Sequence, residues 1–408
     1  MKAGKCARGV VLARVTAAAL GAAAAMIAGP AWGQCMYEVA ELADWDCPFG
    51  QTVVPLAVND EGVVVGYHGP CFGDGYYACM WPEPDELLTF DFEGTCVDGR
   101  AYDVNSQGTV AGYVDIDGDD VGWIVFKYDG SEFTFLGHPE HASRSRAFAI
   151  NEKGAVVGCS TAIDWLRATL WRDGVILDLG QDLPGVASEA LDLNEREEVV
   201  GYFFDYLPGL DGRAFLWADG DVTDLGPIPG GYTSEARAIN NRGEITGYGR
   251  VETRGGRDSE AHVFRWADGM MTDLNVGTEW VWAKPFDIND LGQIVGYGYY
   301  GVKAVGFLWQ HGEFHDLNDL VPPHEVKITD TYGINNLGQI VGKRGKAVLL
   351  TPIDRPQGDA DCDCKVGVTD LIFLLSEWLK TDSLADLNED GIVDVLDLLI
   401  VLGDWSER

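Results

Sequence analysis

Hydrophobic and polar positions along this chain fall into short, strand-length runs, and one run returns seven times: VNDEGVVVG, VNSQGTVAG, INEKGAVVG, LNEREEVVG, INNRGEITG, INDLGQIVG and INNLGQIVG. Its asparagines are Asn59, Asn105, Asn151, Asn194, Asn240, Asn289 and Asn335, spaced 43 to 49 residues apart. An apolar residue precedes each asparagine and a largely β-branched pair follows the turn, so the phrase predicts a strand, a tight hairpin and a second strand. In N-x-x-G the asparagine bonds its own turn backbone and the glycine takes a positive φ without a Cβ clash. The fourth copy puts Glu197 at the glycine's place, where a left-handed backbone costs a non-glycine residue ~1–2 kcal/mol. A second glycine ends each phrase, at Gly66, Gly112, Gly158, Gly201, Gly247, Gly296 and Gly342, and leaves room for neighbouring backbone or rings. Tyrosine follows it in five copies, as Tyr67, Tyr113, Tyr202, Tyr248 and Tyr297.

Each unit has a second half. In RATLWRDGVILDLG, RAFLWADGDVTDLG, HVFRWADGMMTDLN and GFLWQHGEFHDLN a strand ends in tryptophan, a D-G or H-G turn follows, and another strand ends in D-L. WPEPDELLTF and VFKYDGSEFTFLG are weaker versions. One unit therefore predicts four short strands, and a repeat of this size built from four strands is a propeller blade. The equivalent tryptophans Trp171, Trp217, Trp266 and Trp309 are expected between blades. The segment MYEVAEL (36–42) looks like a fourth strand without a unit, and the last unit, GINNLGQIVGKRGKAVLLTP, lacks its fourth. The first strand is thus expected to complete the last blade and remove an exposed sheet edge. The predicted fold class is all-β, a seven-bladed β-propeller of four-stranded blades over residues 34–351.

The phrases N-x-x-G-x-[IV]-x-G and W-x-x-G-x-x-x-D-L resemble those of the extracellular HAF-repeat family over roughly residues 36–351. The resemblance implies an exported repeat protein and does not single out a ligand. Insertions of unequal length, among them VDIDGDDVGW, FDYLPGLDGR and RVETRGGRDSEA, follow the second strands, while PIPGGYTSEAR and GTEWVWAKP follow fourth strands. Length variation on one face of a regular scaffold marks where binding sites sit.

After TPIDRPQG, a linker over residues 352–358, the periodicity changes. GDADCDCKVGVTDLIFLLSEWLK and ADLNEDGIVDVLDLLIVLGDW are copies offset by 27 residues, each an oxygen-rich loop followed by an apolar helix. In the second, Asp386, Asn388, Asp390, Gly391, Asp394 and Asp397 hold places 1, 3, 5, 6, 9 and 12 of a calcium loop, with the Ile392 carbonyl at place 7. In the first, Asp359, Asp361, Asp363 and Asp370 hold places 1, 3, 5 and 12, Lys365 the carbonyl place, Cys364 place 6 and Gly367 place 9. The glycine that frees place 6 and the side chain at place 9 are present only in the second loop, which is expected to bind the ion (Ca2+) more tightly. The two copies form a predicted α-helical pair of EF-hand-like calcium loops over residues 359–408. They resemble a type I dockerin, which implies calcium-dependent folding and docking onto a cohesin-like protein module. Places 10 and 11, often a polar pair in that family, are here Val368-Thr369 and Val395-Leu396. Asp115 to Asp120 resembles half a calcium loop but reads rather as a plain acidic turn between strands.

Charge and export narrow the partners. The 408 residues include 65 acidic and 29 basic side chains, a net charge of −36. Lys2, Lys5, Arg8 and Arg14 begin a segment with an apolar core and an Ala31-Trp32-Gly33 cleavage site, so residues 1–33 read as a signal peptide. Its four basic residues leave with it, taking −36 to −40. Such an excess argues against nucleic acid and anionic membranes as partners, and no later apolar run approaches the ~20 residues of a spanning helix, so no membrane insertion is expected. Eight cysteines remain after cleavage, an even number suited to disulfides in an exported chain. Cys71 and Cys79 are placed to close a hairpin and Cys35 and Cys47 to staple the N-terminal segment; Cys362 and Cys364 are too close in sequence to pair easily with each other.

Catalytic signatures are sparse. The histidines, His68, His138, His141, His262, His311, His315 and His324, read as surface residues, and no H-E-x-x-H, G-x-S-x-G or phosphate loop occurs. Two functions remain. One is a secreted or cell-surface binding or scaffold protein, docked through its tail and directed at an extracellular polysaccharide. The other is a carbohydrate-active hydrolase or lyase carrying a dockerin appendage.

Overall fold

The computed structural model describes residues 37–44, 52–69, 75–90, 92, 98–115, 122–140, 142–162, 165–204, 212–252, 259–301, 303–321, 326–352, 358, 360, 366–381, 383, 385–388, 391–403 and 405. Seven four-stranded antiparallel sheets follow one another along the chain and form the predicted propeller. Blade 1 is Val53–Val58, Val64–His68, Tyr77–Glu83 and Glu86–Thr89. Blade 2 is Asp98–Val104, Val110–Asp115, Trp123–Tyr128 and Phe133–Phe135, and blade 3 is Ala142–Ile150, Val156–Ala162, Trp165–Arg172 and Val175–Asp178. Blade 4 is Ala187–Leu193, Val199–Phe204, Arg213–Ala218 and Asp221–Gly226, and blade 5 is Glu235–Ile239, Ile245–Glu252, Ser259–Ala267 and Met270–Asp273. Blade 6 is Trp280–Ile288, Ile294–Tyr300, Lys303–Gln310 and Glu313–Asp316. Blade 7 takes Asp330–Ile334, Ile340–Arg344 and Lys346–Pro352 from the end of the repeat and Tyr37–Glu41 from its beginning. The last two pair antiparallel, Tyr37 opposite Pro352 and Glu41 opposite Val348, so the ring closes as the orphan strand predicts.

Every first strand carries a bulge at one register position, at Leu56, Tyr102, Phe148, Leu191, Arg237, Phe286 or Tyr332. The bulge drives a carbonyl toward the second strand, and there the second glycine of the phrase stands. A Cβ on Gly201 would lie 1.9 Å from the Glu189 carbonyl oxygen, and the other six glycines meet their own carbonyls within 2.5 Å. Glu197 does take the left-handed turn conformation, with φ +59°. Its carboxylate accepts a 2.5 Å hydrogen bond from Arg172 Nη1, which offsets part of the backbone cost.

The cores lie between neighbouring blades. Leu170, Leu179, Val199, Phe215 and Trp217 pack blade 3 onto blade 4 in one such cluster. Trp171 and Trp217 are buried as expected, whereas Trp266 and Trp309 are half-buried at the margins of their clusters. The blade 1 counterpart, Trp81, is wholly buried and donates from Nε1 to the Ala43 carbonyl at 2.8 Å, tying the closing segment to blade 1. Cys79 and Cys159 are free, buried thiols, so the Cys71–Cys79 bridge is not formed; Cys79 sits among Val64, Trp81 and Leu87 instead. Cys35, Cys47, Cys71, Cys96, Cys362 and Cys364 lie outside the described residues, as does the predicted signal peptide.

The tail contains two short helices, α1 (Val368–Ser376) and α2 (Val395–Gly403). They share a small core of Val366, Leu374, Ala385, Val393 and Val401. Among the described residues no helix is long and apolar enough to cross a membrane.

Candidate functional site

The seven asparagine turns meet at one end of the propeller axis, and there the asparagines do more than shape their turns. Each Oδ1 accepts the N–H four residues on, as Asn151 does from Ala155 at 3.0 Å. Each Nδ2 donates to the carbonyl of the next blade's asparagine: Asn59 to Asn105 at 2.8 Å, Asn105 to Asn151 at 3.2 Å, Asn151 to Asn194 at 3.2 Å and Asn194 to Asn240 at 3.2 Å. Asn240 then donates to Asn289 at 2.9 Å, Asn289 to Asn335 at 3.0 Å and Asn335 back to Asn59 at 2.8 Å. The circle is complete, and all seven side chains are buried.

A second ring lies on the following residues. The backbone N–H of Ser106, Glu152, Glu195, Asn241, Asp290 and Asn336 each bonds a side-chain oxygen of the next blade. Both rings line an axial cavity of about 200 Å³. Three half-buried aspartates line it too. Asp103 accepts from Val104 in its own blade and Ile150 in the next, Asp192 from Leu193 and Ile239, and Asp287 from Ile288 and Ile334. The equivalent places in blades 1, 3, 5 and 7 hold Ala57, Ala149, Ala238 and Gly333. Burial pushes Asp103 up to about 7, Asp287 up to about 6 and Asp192 well above the usual carboxylate range, against the pull of their backbone hydrogen bonds.

First strands begin, and second strands end, at the opposite mouth, so the variable insertions all emerge there. Five residues before the asparagines stand Val54, Arg100, Arg146, Glu189, Glu235, Lys284 and Asp330. They pair across to Tyr67, Tyr113, Cys159, Tyr202, Tyr248, Tyr297 and Lys343. Aromatic faces hold the cations: the Arg100 guanidinium lies 4.7 Å from the Tyr67 ring centre and 5.0 Å from Tyr76, Arg146 3.5 Å from Trp123, and the Lys284 ammonium 4.1 Å from Tyr248. Tyr248 donates its hydroxyl to Glu235 at 2.5 Å. This combination of charge and ring faces suits a polar ligand with flat apolar surfaces.

In the tail, Asp370 and Asp397 are completely buried in the first turns of α1 and α2. Each reaches back three residues, Asp370 to the Gly367 N–H at 2.7 Å and Asp397 to the Asp394 N–H at 2.8 Å. Asp397 also accepts from Leu387 at 2.7 Å and Asn388 at 3.1 Å, so the second loop folds around its place-12 carboxylate. Asp386 accepts from Gly391, whose φ of +93° makes the expected sharp turn. Asn388, Ile392 and Asp394 are in the same described loop, while Asp390 and the first-loop residues Asp359, Asp361, Asp363 and Lys365 lie outside the described residues. Among the described residues no cluster of three or more metal-ligating side chains is assembled. The donor set is nonetheless all oxygen, which fits a hard cation.

Two histidines depart from a surface role. His68 is buried in blade 1, with Nδ1 3.0 Å from the Gly69 carbonyl and Nε2 2.9 Å from Thr89 Oγ1. His262 stands 2.8 Å from Asp273 and 3.6 Å from Glu260; burial lowers its pKa, but the two carboxylates hold it above the ordinary value. His138 and Glu140 line a cleft of about 460 Å³ whose other charges, Arg167 and Asp178, pair with each other at 3.2 Å. His141, His324 and residues 116–120 of the half calcium loop are outside the described set.

The chain thus defines a seven-bladed β-propeller with one closed, self-bonded mouth and one varied mouth. No protein-family model matches it, and no curated protein does. Among solved structures it is similar to TolB from Acinetobacter baumannii, at 11% identity over 71% of this chain and 63% of that one, with a TM-score of 0.42. It is also similar to the β-propeller domain of the Trilobed protease from Pyrococcus furiosus, at 12% identity over 73% and 93% of the two chains, TM-score 0.47. A gluconolactonase from Xanthomonas campestris gives 11% identity over 78% and 89%, TM-score 0.37.

Proposed function

We propose that this is an exported binding or scaffold protein of the HAF-repeat kind, whose dockerin-like tail docks it onto an extracellular protein module while the loop-bearing mouth meets a polysaccharide. One observation carries the docking. Both short helices expose a row of large apolar side chains: Val368, Ile372, Leu375 and Leu379 on and just after α1, and Val395, Leu396, Leu399 and Leu402 on α2, each at least half exposed. Apolar surface of this extent on a small domain marks a protein contact. Val368, Val395 and Leu396 are the residues standing where the dockerin family often has polar ones, so the partner's face is apolar there too.

Calcium would be held by Asp386, Asn388, Asp390, Asp394, Asp397 and the Ile392 carbonyl in the second loop. In the first, Asp359, Asp361, Asp363, Asp370 and the Lys365 carbonyl would hold it. When bound it supplies positive charge that lets several carboxylates share one small loop. Calorimetric titration of the full chain is expected to show two calcium steps; Asp386→Ala abolishes the tighter and Asp359→Ala the weaker. An immobilised chain is expected to capture a cohesin-like module in calcium, to release it on chelation, and to lose capture in Leu399→Glu with helix content unchanged. Capture indifferent to both chelation and Leu399→Glu overturns the docking. A rise in reducing ends from a polysaccharide incubated with the chain replaces the binding role with an enzymatic one.

A further inference from the structure

In a chain with 65 acidic and 29 basic residues, an arginine readily finds a carboxylate. Arg167, Arg172, Arg196, Arg213, Arg242 and Arg265 each do. Arg100 and Arg146 do not, and neither do Arg144, Arg237 and Arg344: among the described residues no carboxylate lies within ion-pair distance of them. Arg100 and Arg146 each also bury an Nε that has no hydrogen-bond partner. The two occupy the same register place on neighbouring blades, five residues before Asn105 and Asn151, at the loop-bearing mouth. Their planes are propped by rings, Tyr67 and Tyr76 for Arg100, Trp123 and Tyr113 for Arg146. Stacking uses the faces of a guanidinium and leaves its edge for hydrogen bonds. Both residues are half-buried, so each cation has given up part of its hydration without gaining a charged partner.

We propose that Arg100 and Arg146 bind the carboxylate of a uronic acid unit in an otherwise neutral polysaccharide, an inference that rests on the propeller's being a binding module. A carboxylate presents two in-plane oxygens, the match for a guanidinium fork. The half-exposed rings of Tyr76 and Trp123, which prop the two guanidinium groups, border the site with apolar surface. Glu189 and Glu235, at the same register place on the next two blades, are acceptors for hydroxyl groups. Those two acids and the net charge of −36 oppose a ligand with a carboxylate on every unit, and an acidic peptide for the same reason.

The test is calorimetry on the full chain in calcium with four probes. They are a xylo-oligosaccharide bearing one glucuronate, its methyl ester, the unsubstituted oligosaccharide, and a hexaglutamate peptide. The acidic oligosaccharide is expected to bind, and the ester at least about tenfold more weakly. Arg100→Gln/Arg146→Gln is expected to lose at least about tenfold with its melting temperature kept. Arg146→Lys, which keeps the charge and loses the fork, loses less than the double variant, and Arg242→Gln changes nothing. Equal binding of ester and acid, or of the double variant and the parent, overturns the uronate site but leaves a neutral-glycan module standing. Failure of the acidic oligosaccharide to bind, with or without hexaglutamate binding, overturns it and leaves the calcium-dependent docking untouched.

Discussion

The two mouths of the propeller are built on the same strands, about 17 Å apart for a separation of five residues, and they follow opposite rules. At the turn end one residue type occupies all seven places, and every asparagine bonds the next. At the loop end no residue type holds more than two of the seven places, and three of them, Arg100, Arg146 and Lys284, are cations that lie on aromatic rings instead of in ion pairs among the described residues. The difference has a mechanical cause. Closing the ring requires each blade to hand a hydrogen bond to its neighbour in one geometry, so the turn end cannot vary without opening the circle. The loop end carries no such duty, and there side chains are free to address a ligand.

The largest expected effect concerns the three acids near the turn end. The folded chain holds protons on Asp103, Asp192 and Asp287 that the unfolded chain releases from about pH 4 upward. These groups therefore lower stability as pH rises from about 4 to about 7, by on the order of a few kcal/mol for the three together. Denaturant midpoints measured across that range are expected to fall, and the slope to flatten in Asp103→Asn/Asp192→Asn/Asp287→Asn. A midpoint that rises from pH 4 to 7 by an amount this triple variant abolishes would show the three carboxylates to be ionised in the fold.

Next in size is a direct contrast between the mouths. Asn240→Ala strands the Asn289 carbonyl and the Glu244 N–H in a buried site and is expected to cost about 2–3 kcal/mol. Arg146→Gln, at the other mouth, is expected to cost less than about 1 kcal/mol. Urea titration of both variants ranks them, and the reverse order would break the division of labour. The smallest effect is at the irregular turn. Glu197→Gly relieves ~1–2 kcal/mol of left-handed strain and loses a partly exposed ion pair worth ~0.2–1 kcal/mol. A net gain of a few tenths to about 1 kcal/mol is expected in thermal unfolding, and a net loss would mean that Arg172 holds the turn more firmly than an exposed pair does.

Much of this architecture was legible before any coordinates. Seven asparagines at near-constant spacing gave the blades, and the orphan MYEVAEL gave the closure. The bond from each asparagine to the next blade was not legible, because its acceptor is a backbone carbonyl 43 to 49 residues away, or 276 for Asn335, and a backbone group leaves no signature in sequence. The three aspartates left a faint one: DVN, DLN and DIN occur in three copies where the others read AVN, AIN or GIN. Arg100 and Arg146 left a fainter one, a matching place five residues ahead of the motif with nothing repeated beside it. His68 misled because a lone histidine carries no mark of the Thr89 hydroxyl that satisfies it inside the blade. The two helices of the tail were readable from the change of period, and their exposed apolar faces were not, since the same period describes a core.

Seven is an odd number, and the rim shows it. The aspartates join blade 2 to 3, 4 to 5 and 6 to 7, which leaves blade 1 unpaired. The second ring also lacks a described bond from Asp60 to blade 2, so Asn59 alone makes the rim contact across that junction. Aromatic packing takes over there: Phe90 and Phe92 of the blade 1 side lie against Phe126 and Phe133 of blade 2, with ring centres 4.6 to 6.0 Å apart. Apolar contacts of this kind weaken on cooling while hydrogen bonds do not. The consequence is a ring with a cold side, in which protection against amide exchange, relative to the intrinsic rate at each temperature, should fall first between blades 1 and 2 near the freezing point.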